Sequence, residues 1–248
     1  MFFESIFLGI LQGIFEWLPI SSEGQIAAIS LLFFGVTPEQ AINFSVFLHT
    51  GTLIAALIYF RKDIKKIIFS KDTKLRNFLL IAVLATAITG IPSYIFLKQI
   101  SSAPFIFSLL IAFSLIATGL FQKYRKQKGN AELNKKNSVL LGFAQGFSII
   151  PGISRSGITT TALLVEGFSA EEALRISFIL SIPSVAAAEI FFGTIEGFVI
   201  NFEAIAALAS AAIIGYISLH LILEFVKKID FSHFCIALGL VYLVLSFL

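Results

Sequence analysis

Polar side chains interrupt an apolar region near the start of the chain, in the segment "QGIFEWLPISSEGQ" (residues 12–25). Gln12 and Glu16 are four residues apart and would therefore share one face of a helix. Ser21 and Ser22 stand at the break that follows. A helix beginning there presents unpaired N–H groups and a positive dipole end, which favour an anion such as phosphate.

A second polar segment, "PGISRSG", contains Arg155 flanked by Ser154 and Ser156. The guanidinium is a planar fork suited to phosphate oxygens. A hydroxyl, a nearby carboxylate and an anion clamp together suggest phosphoryl transfer. In that chemistry Ser22 would attack or orient water, and Glu16 would take its proton or hold a divalent cation.

These residues also have structural interpretations, which the sequence leaves open. Glu16 and Arg155 could form an ion pair between two hairpins. A serine before a helix could serve only as its N-cap. Polar residues beside the break, or ionisable residues inside apolar spans, could line a cavity or hydrogen-bond between helices. These alternatives concern Ser21, Ser22, Glu23, Gln25, His49 and Glu189.

The composition places these segments in a membrane protein. The 248 residues are 57% hydrophobic and 13% charged, whereas soluble domains carry about a quarter charged residues. Lipid must therefore solvate most of the chain, and no nucleic-acid partner is expected. The single cysteine, Cys235, excludes an internal disulfide. The first residues lack a basic segment, so we expect mature structure there rather than a signal peptide.

Six segments are apolar enough to span a bilayer, which requires about 20 residues. Two further regions are each broken in the middle, and their halves of about 8–13 residues are too short to span, which favours re-entrant hairpins. The predicted spans are 41–60, 77–97, 103–121, 176–195, 204–223 and 231–248, and the hairpin halves are 5–15 with 26–36 and 139–150 with 158–165.

The basic residues predict the orientation. Of 18 Lys and Arg, seven lie in 61–76, six in 123–136 and two at 227–228. Loops rich in Lys and Arg stay in the cytoplasm. We therefore expect both termini and the loops 98–102 and 196–203 outside, with the first hairpin entering from outside and the second from inside.

The two broken regions resemble each other. The segment "LGILQGIFEWLPISSEG" (8–24) aligns without a gap with "LGFAQGFSIIPGISRSG" (141–157), and Gln12 matches Gln145. The sequence thus predicts an all-α single membrane domain of two inverted repeat units, about 1–127 and 133–248, each a re-entrant hairpin plus three transmembrane helices. Such repeats place a site near the bilayer midplane, where broken helices meet.

"QGIFEWLPISSEG" and "PGISRSG" resemble the two signature motifs of the undecaprenyl-diphosphate phosphatases of the bacitracin-resistance type, and "FLHTGTLIA" (47–55) also fits. The resemblance implies a multi-pass enzyme of the plasma membrane with an outward-facing site. It would remove the terminal phosphate of a polyprenyl diphosphate and so recycle the lipid carrier for cell-wall glycans. A homodimer is one possible assembly of such a protein.

The resemblance also implies roles for residues. Glu16, Ser22 and Arg155 would be catalytic, with Ser22 the preferred nucleophile, and a divalent cation, Mg²⁺ or Ca²⁺, would bind at Gln12 and Glu16. The expected supporting residues are Gln12, Ser21, Glu23, Gln25, His49, Gln145, Ser154 and Ser156.

The chain departs from the family pattern at two positions. Many members have His at the position of Gln25 and a small Ser or Thr at that of Glu23. The general base would then have to be Glu16, Glu23 or His49, and Glu23 could supply metal-binding capacity that Gln12 lacks. The competing function is a secondary transporter or polyprenyl-phosphate flippase, because inverted repeats with broken helices are also a transporter architecture.

Overall fold

The described part of the chain is built from helices alone. The computed structural model describes residues 2–69, 73–100, 103–123, 131–195, 197–198, 200–225 and 231–247, and no β-strand occurs within them. The helices are α1 (Phe2–Phe15), α2 (Ser22–Phe34), α3 (Pro38–Tyr59), α4 (Arg61–Phe69), α5 (Lys74–Ile100), α6 (Pro104–Gln122), α7 (Lys135–Gly146), α8 (Arg155–Glu166), α9 (Ala170–Ile195), α10 (Phe202–Phe225) and α11 (Ser232–Leu245), with one 3₁₀ turn at Phe147–Ile149.

Four short helices form the two predicted broken regions. Helices α1 and α2 have 14 and 13 residues, and α7 and α8 have 12 each. At 1.5 Å per residue they measure about 18–21 Å, well below the roughly 30 Å of a bilayer core. Helix α2 starts at Ser22, earlier than predicted, because Ser21 caps it by accepting a hydrogen bond from the Gly24 N–H.

Five helices are long and apolar enough to cross a membrane: α3, α5, α6, α9 and α10. The sixth predicted span, 231–248, is shorter than expected, because α11 has 14 residues and a length of about 21 Å. A short segment can be accommodated by local thinning of the bilayer. Helix α4 lies within the predicted basic loop 61–76, and none of its residues is buried. The basic pair at 227–228 lies outside the described residues.

Glycines allow the short helices to lie against long ones. Helix α1 packs along α10 and α7 along α5. A Cβ on Gly9 would lie 2.2 Å from the Ala207 carbonyl oxygen, and one on Gly142 would lie 2.2 Å from that of Ala82. Small residues permit such close approach between membrane helices. Gly9 and Gly142 are aligned in the predicted repeat; the inverted relation of the two units stays a prediction.

Apolar clusters surround a polar centre. Trp17, in the first break, packs edge-on against Phe178 at 5.6 Å between ring centroids, and its indole N–H donates to the Gly215 carbonyl at 2.8 Å. Large apolar side chains such as Leu84 and Ile213 are mostly exposed on the outer faces. Such an exterior suits lipid rather than water, and the prediction of an all-α integral membrane protein is confirmed.

Candidate active site

The two helix breaks bind each other directly. Ser21 has a left-handed backbone conformation, with φ of +62°. Its hydroxyl oxygen caps α2 and also accepts a hydrogen bond from the Gly152 N–H at 3.0 Å. In the other direction, the Ser156 hydroxyl donates to the Leu18 carbonyl at 3.0 Å. These two hydrogen bonds hold the two breaks together. Ser22, next to the first break, is therefore held close to Arg155, next to the second.

Glu16 is the centre of the polar cluster and is only 5% exposed. Its Oε2 accepts hydrogen bonds from Ser22 Oγ at 2.8 Å and Gln12 Nε2 at 2.9 Å. His49 Nε2 lies 3.2 Å from the same oxygen. Its Oε1 lies 2.5 Å from Arg155 Nη2. The structure thus brings together the three residues predicted to be catalytic, which come from two segments of the chain.

The contacts of His49 decide what its ring can do. Nδ1 lies 2.8 Å from the Ser45 carbonyl oxygen, while Nε2 faces the Glu16 carboxylate. Both neighbours accept hydrogen bonds, so both ring nitrogens are satisfied only when each carries a proton. Such an imidazolium has no lone pair with which to take the Ser22 proton. Glu16, which already accepts from the Ser22 hydroxyl, is the group placed to take it.

Arg155 uses only part of its guanidinium in the ion pair with Glu16. Nη1 is buried and has no hydrogen-bond partner among the described residues. A buried polar group left without a partner costs about 1–3 kcal/mol. The ion pair between Glu16 and Arg155, one of the structural interpretations of the sequence, is present. It leaves Arg155 Nη1 as a donor that an anion can use.

These groups line one cavity of about 830 Å³, including its open mouth. One part of its wall is polar and contains both positive and negative side chains. Another part is apolar. The polar wall includes Glu16, Ser21, Ser22, Glu23, His49, Ser154, Arg155, Ser156 and Glu189, and the apolar wall includes Val46, Ile149, Ile153, Val185, Ala188 and Phe192. The arrangement suits a ligand with a charged polar head and an apolar body.

Comparison with known proteins gives this site a family. The family model described as "Bacitracin resistance protein BacA" matches residues 5–241. The chain belongs to the BacA family. Three similar relatives, each named undecaprenyl-diphosphatase, come from Methanococcoides burtonii (40% identical, covering 99% of this chain and 98% of the relative), Methanothrix thermoacetophila (40%, 98% and 96%) and Haloarcula marismortui (36%, 95% and 93%).

Two expected supporting residues of this BacA-family chain lie away from Glu16. Gln145 lines the same cavity, but its amide nitrogen donates to the hydroxyls of Thr86 and Ser184, both at 2.8 Å. Gln25 is not among the cavity-lining residues described. Its side chain donates to the Ile20 carbonyl at 3.2 Å and accepts from the Tyr242 hydroxyl at 2.9 Å. Gln25 therefore braces the first break against α11.

Sequence reasoning missed part of the cavity wall of this BacA-family protein. Thr86, Ser148 and Ser184 line it, and small hydroxyl side chains in apolar helices give no signal of their own. Glu189 is a carboxylate within a predicted span, a rare and costly placement. It lines the cavity and accepts a hydrogen bond from Thr50 Oγ1 at 2.9 Å.

The predicted cation ligands, Gln12 and Glu16, do not fit a metal ion well. Both Glu16 oxygens are engaged, and the cationic side chains of Arg155 and His49 lie beside them. Gln12 offers only a carbonyl oxygen, Oε1, which is buried without a partner. Mg²⁺ and Ca²⁺ take about six or more oxygen ligands, usually with carboxylates among them. The described residues contain no group of three His, Cys, Asp or Glu placed to hold a metal ion.

Proposed function

We propose that this BacA-family protein is a membrane phosphatase. It hydrolyses undecaprenyl or a related polyprenyl diphosphate to the monophosphate and inorganic phosphate, recycles the lipid carrier for cell-wall glycan synthesis and confers resistance to bacitracin. One observation carries the proposal: the Glu16 carboxylate contacts both the Ser22 hydroxyl and the Arg155 guanidinium, whose Nη1 is left unpaired, and all three residues line one cavity. The names of its close relatives support the same reaction.

In the proposed reaction the Ser22 oxygen attacks the terminal phosphorus while Glu16 takes the hydroxyl proton. The bond from that phosphorus to the bridging oxygen breaks, and the lipid monophosphate leaves with the proton held by Glu16. Water then attacks the phosphoserine phosphorus and gives a proton to Glu16. The bond between the Ser22 oxygen and phosphorus breaks, inorganic phosphate is released, and Glu16 returns the proton to the Ser22 oxygen. Arg155 Nη1 binds the non-bridging oxygens, on which negative charge is spread in the transition state.

The charges around Glu16 serve this role. Arg155 and His49 both contact its carboxylate, and two neighbouring cations stabilise the ionised form in a membrane site. A neutral Glu16 could not accept the Ser22 proton. His49 therefore acts by orienting and charging Glu16 rather than as a base.

A divalent cation, Mg²⁺ or Ca²⁺, is part of the proposal, although no step is assigned to it. Three carboxylates line the cavity against two cationic side chains, and a diphosphate adds further negative charge. Glu23 and Glu189 are the two carboxylates that do not pair with Arg155. They would be the ones to contact a cation that arrives with the diphosphate. Activity after chelation, with Mg²⁺ or Ca²⁺ restored, tests this part.

We also propose that both termini and the cavity mouth face outward from the plasma membrane. The positions of 15 of the 18 Lys and Arg residues support the placement of the termini, and the resemblance to the family supports an outward-facing cavity mouth. An impermeant thiol reagent added to intact cells should label Asn201→Cys but not Lys135→Cys. The reverse pattern would contradict the orientation. The homodimer stays a prediction, and cross-linking in membranes tests it.

Phosphate release is the direct test of the function. Purified protein in detergent should release inorganic phosphate from a polyprenyl diphosphate. Ser22→Ala and Arg155→Ala should each lower kcat at least about a hundredfold, since each removes a group that acts in the transition state. Ser30→Ala, buried in the same helix as Ser22, and Arg175→Ala, in a surface ion pair with Asp63, are matched controls. Full activity in both site variants would contradict the proposal.

A flippase or secondary transporter is the second candidate. Broken helices that meet beside a central cavity support it, because transporters build ion and substrate sites in this way. Movement of a labelled polyprenyl phosphate between the leaflets of liposomes, without phosphate release, would favour this alternative.

A further inference from the structure

Helix α6 binds both helix breaks, although it contributes no residue to the described cavity wall. Thr118 Oγ1 donates to the Gly152 carbonyl at 3.0 Å and accepts from the Ser154 N–H at 3.2 Å. Gln122 Nε2 donates to the Pro19 carbonyl at 2.6 Å. Because Thr118 and Gln122 are four residues apart, they project from the same face of α6.

The two carbonyls held by α6 occupy matching positions. Pro19 aligns with Gly152 when 8–24 is aligned with 141–157. Each carbonyl lies in a helix break, where the backbone has no regular helical partner and must find another. Thr118 supplies the partner of the Gly152 carbonyl, and Gln122 supplies the shorter of the two hydrogen bonds to the Pro19 carbonyl, which also accepts from Cys235 Sγ at 3.2 Å. Thr118 and Gln122 are buried, at 6% and 1% exposed.

The reacting groups stand at equal distances along the chain from these anchors. Ser22 is three residues after Pro19, and Arg155 is three residues after Gly152. We propose that Thr118 and Gln122 are positioning residues of the phosphatase, a role that rests on the function proposed above. By fixing both breaks on one rigid helix face, they set the separation between the nucleophile and the guanidinium that binds the phosphate.

Close packing of the second break against α6 adds to these hydrogen bonds. Gly152 has a φ of +98°, and a Cβ there would lie 2.6 Å from the Ile111 carbonyl oxygen of α6. A Cβ on Gly157 would lie 2.9 Å from Gln122 Nε2. The second break therefore lies directly against α6. A shift of about 1 Å in a reacting group can lower the rate about a hundredfold, so small displacements of either break are enough to affect catalysis.

The test separates the two hydrogen-bonding residues from ordinary packing. Thr118→Val keeps the side-chain volume and removes both bonds, and Gln122→Met removes the donor to Pro19. We expect each to lower kcat about ten- to a hundredfold, while Thr118→Ser, which keeps the hydroxyl, stays within about threefold. Thr89→Val is the matched control, because Thr89 Oγ1 donates to the Phe143 carbonyl at 2.8 Å between α5 and α7. It should leave kcat unchanged.

Two further measurements distinguish positioning from a structural role. Vanadate mimics the transition state of phosphoryl transfer, so its affinity should fall by the same factor as kcat in Thr118→Val. A double-mutant cycle of Thr118→Val with Arg155→Lys should be non-additive, because both act on one loop, whereas Thr89→Val with Arg155→Lys should be additive.

The possible failures are distinguishable. Wild-type kcat and vanadate affinity in Thr118→Val and Gln122→Met would overturn the inference, and so would a Thr118→Ser variant as impaired as Thr118→Val. A wild-type protein that binds vanadate but releases no phosphate would refute the proposed phosphatase. In that case unchanged vanadate affinity in Thr118→Val would overturn the positioning role as well, and weakened affinity would support it.

Discussion

Glu16→Gln is the substitution that most directly tests the site. The carboxylate accepts from three neighbours and pairs with a fourth: Gln12, Ser22 and His49 face Oε2, and Arg155 faces Oε1. An amide has one acceptor oxygen and one NH₂ donor. All four neighbours are donors, so in either orientation the amide NH₂ group faces at least one of them. The variant therefore loses a hydrogen bond as well as the negative charge.

The magnitude follows from these contacts. General-base catalysis contributes about 10²–10⁴ to a rate, so kcat should fall at least about a hundredfold, equivalent to roughly 2.7 kcal/mol of barrier. The variant also leaves Arg155 buried without its counter-ion, and breaking a buried pair costs about 3–5 kcal/mol. His49 limits the loss because it can release its proton. The loss should therefore lie near the lower end, about 3 kcal/mol, and at about 2–4 °C per kcal/mol for a chain of this size we expect Tm to fall by about 6–12 °C.

Phosphate release and thermal unfolding in the same detergent provide the two readouts. Glu166→Gln is the matched control, since it removes a carboxylate from the end of α8, and the described lining of the cavity does not include Glu166. It should leave kcat unchanged. If Glu16→Gln kept more than about a tenth of wild-type kcat, Glu16 would not be the base. An unchanged Tm would refute the inference that its carboxylate neutralises buried cations.

Four further predictions concern single positions. His49→Gln keeps a hydrogen-bond donor to Glu16 but removes the positive charge. Because hydrogen bonds to charged groups are about 1–1.5 kcal/mol stronger than neutral ones, kcat should fall about tenfold. An unchanged kcat would show that the imidazolium is not needed. Glu23→Gln should weaken activation by Mg²⁺ or Ca²⁺, and unaltered metal dependence and rate would remove Glu23 from the cation proposal. Gly9→Ala should lower the free energy of unfolding by about 1–3 kcal/mol, because the new Cβ meets the Ala207 carbonyl. Gly215→Ala should lower it less, because the nearest atom to the new Cβ is the Thr52 methyl at 3.2 Å. Equal losses of stability would contradict the packing argument. Burial raises the pKa of Glu166 to about 7, so the folded state binds the Glu166 proton more tightly than the unfolded state does. The stability of the wild type should therefore fall relative to that of Glu166→Gln as pH rises from about 4.5 to 7. Parallel pH profiles of stability for the two proteins would refute this prediction.

Local sequence was sufficient for the parts of the site that lie within one segment. The spacing of Gln12 and Glu16 predicted a shared helix face, and their side chains are in contact at 2.9 Å. The sequence placed Ser21 before a helix start, and Ser21 caps α2. The short apolar halves predicted helices too short to span a bilayer, and the four helices found have 12–14 residues, with bounds that differ from the predicted ones by up to four residues. These features follow from helix geometry and from the need of the first N–H groups for an acceptor.

Sequence patterns did not predict contacts between residues far apart in the chain, or the roles of uncharged polar residues within apolar helices. Gln145 aligns with Gln12, but it contacts Thr86 and Ser184 instead of a carboxylate, because Ile149 replaces the glutamate of the first segment. The sixth span was predicted too long, since hydropathy does not show where a helix ends. Thr118 and Gln122 are ordinary residues of an apolar helix until their partners are known.

The sequence by itself determined that the protein is an all-α membrane protein with two polar breaks, and which side chains each break carries. Only the tertiary structure decided that Glu16 and Arg155, 139 residues apart, form one ion pair, that His49 contacts the same carboxylate, and that α6 binds both breaks. The physical reason is range. Helical spacing, capping and hydropathy act over a few residues, whereas the approach of two breaks depends on close packing of helices throughout the domain.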